Sequence, residues 1–263
     1  MEYIQFKRLL QYPELKHAYI LKCGDMDFRI GKDFANKGKV CINLQKVSSL
    51  VDIDYENIIR PDYNHTNNVE IIHEINDPER PSLEGKNFLN TDGLITSKNN
   101  IAIMSTNADC LLLLIYDPVK KVLANVHSGW RGTFGKIAEK TIDKMVKEFN
   151  CSPQDIICCL CPSIRKCHFE VDEDVANECK KIFEYTGRLD EIIEKGEVKE
   201  GKQKYNIDTV LLNKIMLTDK GIIIENIIDS GVCSVCNSKK IHSRRAEGIN
   251  FGLGAALIEK NKF

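Results

Sequence analysis

Two short stretches hold the residues best suited to chemistry: Asn107-Ala108-Asp109-Cys110 and, beyond a turn, His127-Ser128-Gly129-Trp130-Arg131-Gly132. A thiolate beside an imidazole serves either as a nucleophile with its base or as two ligands of a metal ion. A third possibility is a buried cysteine packed near a histidine with no chemical role, because sheet residues also meet by accident. Gly129 and Gly132 permit close backbone approach and unusual dihedrals. Arg131 stands just before a helix that the pattern starts near Thr133, so its guanidinium and the free N–H groups of the helix end would form an anion site. Trp130, the only tryptophan, either walls that site, stacks on a base, or anchors the core. The combination favours a small anionic or phosphate-dependent substrate over a protein.

The elements around these residues must bring them together. Residues 100–106 read as a strand and 111–116 as a buried strand that ends in an Asp117-Pro118 turn. Residues 122–127 read as a third strand, so antiparallel pairing across the turn would set Cys110 beside His127. Phe134, Ile137, Ala138, Thr141, Ile142, Met145 and Phe149 follow helical spacing and form one apolar face, with Asn150 as the stop. Further helices are expected at 172–183, with Asp172 as cap, and at 209–219. Residues 22–43 read as short strands and turns, and the charged segment 188–204 as an exposed insertion or hairpin. Strands and helices interleave without regular βαβ alternation, which predicts a mixed α+β fold. No repeat or linker divides the chain, so residues 1–263 are expected to form a single domain.

Composition narrows the function classes. With 37 basic against 38 acidic residues, there is no global field to draw nucleic acid or acidic membranes, and neither is expected as a partner. The longest apolar run, residues 110–116, is too short to span a bilayer, and the first residues lack a signal-peptide pattern. The expectation is a cytoplasmic protein whose eleven cysteines are reduced and mostly buried as small hydrophobes.

The run TNADCLLLLIYDP followed by VHSGWRG resembles the "ADC" and "HAGWRG" signatures of the laccase-domain (YfiH-like) family, described as polyphenol oxidases and later as purine nucleoside phosphorylases and adenosine deaminases. Asn64-His65-Thr66-Asn67-Asn68-Val69 is similar to the family's glutamine-x-histidine segment. The likeness extends to Thr91-Asp92-Gly93-Leu94-Ile95-Thr96, to Pro162-Ser163-Ile164 with Phe169-Glu170-Val171, and to the tail from Cys233 to Arg245. It implies layered mixed β-sheets flanked by helices and a zinc bound by His65, Cys110 and His127, a site that copper would also fit. Three ligands leave the fourth position open, as in catalytic rather than structural zinc. His73 is the rival to His65 but lacks the matching neighbours.

The implied activity is phosphorolysis of adenosine, inosine or methylthioadenosine to free base and ribose 1-phosphate, with adenosine deamination besides. Cys110, His127 and Arg131 would be catalytic, with Lys22, Trp130 and Arg245 contacting substrate and phosphate. Glu170, Asp208 and Asp109 are the available acids. There are departures from the family pattern: Lys22 stands where the family has arginine and lacks its bidentate fork, and Cys161 stands where a glycine is usual.

Several rivals stay in view. Metal-free chemistry would use Cys110 as nucleophile and His127 as base, as in a deamidase of the necrotising-factor toxin type. A copper polyphenol oxidase needs more histidines than the six present once three hold one metal. A binding scaffold without catalysis is the third. Finally, Cys158-x-x-Cys161 and Cys233-x-x-Cys236 suggest a four-cysteine structural zinc, but the pairs are much farther apart than the ~15–20 residues of a zinc ribbon, so these four are not expected to share a metal.

Overall fold

The computed structural model describes residues 2–30, 36–73 and 88–262. In chain order it contains β1 (Tyr3–Ile4), β2 (Leu15–Ile20), α1 (Lys37–Val51), β3 (Ile58–Ile59), β4 (Val69–Ile71), β5 (Gly93–Thr96) and β6 (Ala102–Asn107). The hairpin β7 (Leu111–Asp117) and β8 (Val122–Ser128) follows, then α2 (Trp130–Phe134), α3 (Ile137–Phe149) and β9 (Ile157–Leu160). The last part holds β10 (Glu170–Asp172), α4 (Glu173–Phe183), α5 (Leu189–Ile192), β11 (Ile193–Lys199), β12 (Lys202–Ile207), α6 (Thr209–Asp219), β13 (Ile227–Asp229), α7 (Arg244–Glu247) and β14 (Gly254–Lys260). A six-stranded sheet has the order β13-β9-β7-β8-β5-β4, and a five-stranded sheet the order β1-β2-β14-β6-β3. A small third sheet, β10-β12-β11, contains the hairpin expected at 188–204.

The continuous apolar run Leu111-Leu112-Leu113-Leu114-Ile115 is explained by where β7 lies. A strand projects successive side chains to opposite faces, so a run without alternation is buried on both. Leu111, Leu113 and Ile115 pack in one core with Ile137, Ile142 and Met145 of α3 and Leu212 and Met216 of α6. Leu112, Leu114 and Tyr116 pack in a second core with Ile103 of β6 and Ala256 and Ile258 of β14. The far face of the five-stranded sheet buries Met104 and Leu257 against Val40, Leu44 and Val47 of α1. The result is helix, sheet, sheet, helix in four layers, the mixed α+β architecture expected. The layers are also tied by a polar link: Asn125 of β8 donates through Nδ2 to the carbonyls of Ile103 (3.0 Å) and Ala256 (2.9 Å).

The β7–β8 hairpin has the register the turn implies, with Leu112 opposite His127 and Asp117 opposite Val122. Asp117 Oδ1 accepts from the N–H groups of Val119 and Lys120, which closes the turn.

Three expectations need correction. Residues 37–43, the end of the stretch read as strands and turns, belong to α1, because tertiary burial of Val40, Leu44 and Val47 outweighs its scattered charges and Gly38. The helix expected to run unbroken from Phe134 is interrupted: Lys136 has φ 61°, so Phe134 ends α2 and a new helix begins at Ile137. Arg131 therefore does not precede a helix but is the second residue of a five-residue one. Helices α4 and α6 lie at the expected residues, and Asn150 (φ 54°) is the left-handed stop of α3. Asp172 flanks α4 without capping it, because its carboxylate is taken by Lys204. Asp208 caps α6 through the N–H of Leu211.

Cys158 and Cys161 lie in different cores, on opposite faces of β9, and Cys159 is equally enclosed. Burial pushes all three thiols well above the ordinary range. Among the described residues no helix is long and apolar enough to cross a membrane. Alkylation of the native protein is expected to leave Cys158, Cys159 and Cys161 unmodified while the exposed Cys23 reacts. Peptide mass spectrometry checks this, and modification of the three before unfolding would contradict their placement. Cys158→Ser should cost about 1–3 kcal/mol in chemical denaturation, because it buries a hydroxyl in an apolar layer.

Candidate metal centre and substrate cleft

The hairpin delivers two of the three expected ligands. His127 is the penultimate residue of β8, and Cys110 immediately precedes β7. The Cys110 turn is shaped by Asn107, whose Nδ2 donates to the carbonyls of Cys110 (2.6 Å) and Pro162 (3.0 Å) while its Oδ1 accepts from Tyr19 Oη (3.0 Å). His65 comes from a separate loop before β4. The ligand atoms of His65, Cys110 and His127 all lie within 4.8 Å of one another. His73 is exposed beyond β4 and belongs to no such group among the described residues.

Asp92 organises this convergence. It is fully buried, and its Oδ1 lies 2.8 Å from His127 Nδ1. Its Oδ2 accepts from the backbone N–H and the hydroxyl of Thr66, each at 2.7 Å. One carboxylate thus fixes the imidazole with Nε2 free to ligate and also anchors the loop that carries His65. Burial would raise the Asp92 carboxyl, but hydrogen bonds from His127 and Thr66 hold it below its usual value. Burial likewise opposes the Cys110 thiolate, yet the His127 and His65 imidazoles outweigh it and pull the thiol down to about 6. His127 is held protonated against burial by Cys110 and Asp92, up to about 9. Each group thus favours the charged form of the other.

Glycines make the approach possible. A Cβ on Gly129 would stand 3.1 Å from His65 Cδ2 and 3.2 Å from Cys110 Sγ, and one on Gly132 would stand 2.9 Å from the Thr66 carbonyl. Two non-glycine residues at the centre adopt left-handed backbone, His65 (φ 56°) and Asp109 (φ 87°). Such conformations persist where the surroundings over-determine them, as the Asp92 and Asn107 hydrogen bonds do here. Tyr63 stacks on His127 with ring centroids 4.6 Å apart. The start of α2 is fixed by the buried Ser128, Thr133 and Asn213, whose side chains bond one another at 2.9–3.2 Å.

The triad borders a cleft of about 440 Å³ whose walls include Trp130, Arg131, Phe169, Arg244, Arg245 and Asp109. Arg131 is exposed, with its guanidinium 4.2 Å above the Trp130 ring. Arg245 lines the cleft, but its guanidinium donates to the carbonyls of His168 and Glu170, so part of its charge is spent on the wall. Lys22 does not line the cleft. It pairs with Glu247 of α7 at 3.3 Å. Of the acids, Asp109 lines the cleft and accepts from Ser234 Oγ and the Arg245 N–H. Glu170 pairs with Lys199, and Asp208 is a helix cap.

A cysteine and two imidazoles, one oriented by a carboxylate, are a donor set suited to a borderline-soft divalent ion with an open fourth position. With Trp130 and the arginines beside it, this arrangement is a candidate metal centre at a small-molecule cleft on a layered α+β frame. Residues 28–261 match the family described as multi-copper polyphenol oxidoreductase laccase, and the chain belongs to that family. The human protein named purine nucleoside phosphorylase LACC1 is 27% identical over 227 residues, 82% of this chain. The chain spans about half of that relative, 46% of its length. Purine nucleoside phosphorylase YlmD of Bacillus subtilis is 26% identical over 78% of this chain and 71% of its own length. Adenosine deaminase RL5, from an unknown prokaryotic organism, is 29% identical over 76% and 74%. Among solved structures, YfiH of Bacillus licheniformis superposes with a TM-score of 0.87 at 22% identity, covering 98% of this chain and 96% of that one.

Asp92→Asn keeps the side-chain volume but replaces the acceptor facing Thr66 or His127 with a donor. It is expected to weaken zinc binding about 10–100-fold, measured by competition with a chelating dye. Unchanged affinity would show that Asp92 does not orient the ligands.

Proposed function

We propose that the chain is a zinc-dependent purine nucleoside enzyme that uses phosphate to release base and ribose 1-phosphate from adenosine, inosine or methylthioadenosine, and also deaminates adenosine. The observation that carries this reading is a three-ligand donor set opening onto a cleft that combines aromatic faces with guanidinium groups. The names of the relatives support it, and the eleven free cysteines fit a reducing cytoplasm.

His65, Cys110 and His127 would hold the ion, which when bound supplies Lewis-acid polarisation of an oxygen ligand. Trp130 and Phe169 offer apolar surface for a purine. Arg131 places a cation at the cleft wall for a phosphate dianion. Attack of a phosphate oxygen on C1′ forms a C–O bond as the C–N bond to the base breaks, and positive charge builds on the ribose. A phosphate fixed by Arg131 lies ready to stabilise that charge. Asp92 keeps the proton on His127 Nδ1 and so preserves Nε2 as a lone-pair donor.

A metal-free hydrolase is the second reading, and the chain Asp92–His127–Cys110 favours it, because a lowered thiol beside a carboxylate-oriented imidazole is also an activated nucleophile. His65 argues for the metal, since a thiol–imidazole pair needs no second histidine. The copper oxidase reading lacks ligands. His17 accepts from the Phe6 N–H, His242 bonds Glu247 and Met26, and His168 lies in a separate thiol cluster.

Arg131→Met should lower phosphate-dependent base release about 10²-fold or more while adenosine deamination falls less. Equal loss of both would assign Arg131 to the fold or to the nucleoside as a whole. Chelation should abolish both activities and zinc should restore them; activity that survives full metal removal and disappears on alkylation of Cys110 would favour the thiol mechanism.

A further inference from the structure

A second cluster of metal-binding groups lies outside the triad, and the four-cysteine pattern pointed to only half of it. Cys233 and Cys236 share no group of ligand atoms with the buried Cys158 and Cys161 among the described residues. Instead they meet Cys167 and His168, from the loop that joins β9 to β10, and the four ligand atoms lie within 4.8 Å of one another. Cys167 Sγ is 3.7 Å from Cys233 Sγ and 4.0 Å from Cys236 Sγ. His168 Nδ1 is 3.1, 3.7 and 3.5 Å from the sulfurs of Cys167, Cys233 and Cys236 respectively.

These separations match a coordination tetrahedron. Bonds of about 2.3 Å to sulfur and about 2.0–2.1 Å to nitrogen set sulfurs about 3.8 Å apart and nitrogen about 3.5 Å from sulfur. A disulfide would need about 2.05 Å between sulfurs, well short of the spacing here. The backbone supports the cluster independently of its side chains. Ser163 and Cys233 form a parallel bridge, the Ser234 N–H donates to the Ser163 carbonyl at 3.0 Å, and the Cys236 and Arg165 N–H groups address the Cys233 sulfur.

We infer that Cys167, His168, Cys233 and Cys236 form a structural zinc site, distinct from the His65–Cys110–His127 centre. Four protein ligands close the tetrahedron and leave no position for substrate. The ion would clip two chain segments that both reach the cleft. Next to His168 lies Phe169, which lines the cleft, and the His168 carbonyl receives Arg245. Next to Cys233 lies Ser234, which holds Asp109. The site therefore braces one wall of the cleft without taking part in its chemistry.

The test is zinc content of the full chain, expressed with zinc and purified under reducing conditions. The wild type should carry two equivalents, Cys110→Ala one, Cys236→Ala one, and the double variant none. Cys236→His, which exchanges one zinc ligand for another, should keep the second equivalent. Cys110→Ala loaded with cobalt should show the intense visible absorption of a tetrahedral thiolate site, and adding Cys236→Ala should remove it. Cys236 is exposed, so its loss should leave the fold intact, which circular dichroism verifies. Wild-type zinc content in Cys236→Ala would overturn the inference, as would complete loss of metal in Cys110→Ala or a Cys167–Cys233 disulfide in the zinc-loaded wild type.

Discussion

The site depends on one buried carboxylate. Asp92 has no exposure to water, and burying a lone anion is costly unless every oxygen is engaged. One oxygen takes the His127 ring and the other takes Thr66. The need to satisfy this charge couples two segments that share no strand pairing, the end of β8 and the loop before β4. Asn67, which donates to the Gly135 carbonyl, and Asn68, which donates to the Asn90 carbonyl, hold the same loop from its other side.

The layered frame explains why such a costly group can be held in place. β7 and β8 are enclosed on both sides, so the hairpin has little freedom to adjust, and Leu112 and His127 stay in register. The glycines at 129 and 132 then let α2 close over the ligands without steric conflict. Burial, register and small residues act together, and each would be wasted without the others.

Legibility in the sequence followed the range of the interactions. The hairpin could be read because its signals are local: an unbroken apolar run, Asp117-Pro118, and a second strand ending in histidine. Arg131 and Trp130 line the same cleft as His65 and Cys110, while the helix break at Gly135-Lys136 is invisible because apolar periodicity does not register a single left-handed residue. Asp92 was visible only as part of a family likeness. Nothing in its neighbours announces that it serves His127 and Thr66. The Cys167–His168 pair escaped notice for the same reason: its partners lie more than sixty residues away along the chain, and the tempting Cys158-x-x-Cys161 spacing drew attention to a strand whose side chains face opposite layers. The pairing of Lys22 with Glu247, more than two hundred residues away, is likewise not legible from its neighbours.

The three ligands of the centre are not equally fastened. His127 lies within β8 and Cys110 just before β7, two strands enclosed in the core, whereas His65 sits on an exposed loop, the kind of segment that opens locally at lower cost. Whatever occupies the centre is enclosed by two slow walls and one fast one. Exchange of an ion held there would then depend most on the loop around His65. Selection acting on Thr66 or Asn67 could change how quickly the centre turns over its occupant without altering a single ligand.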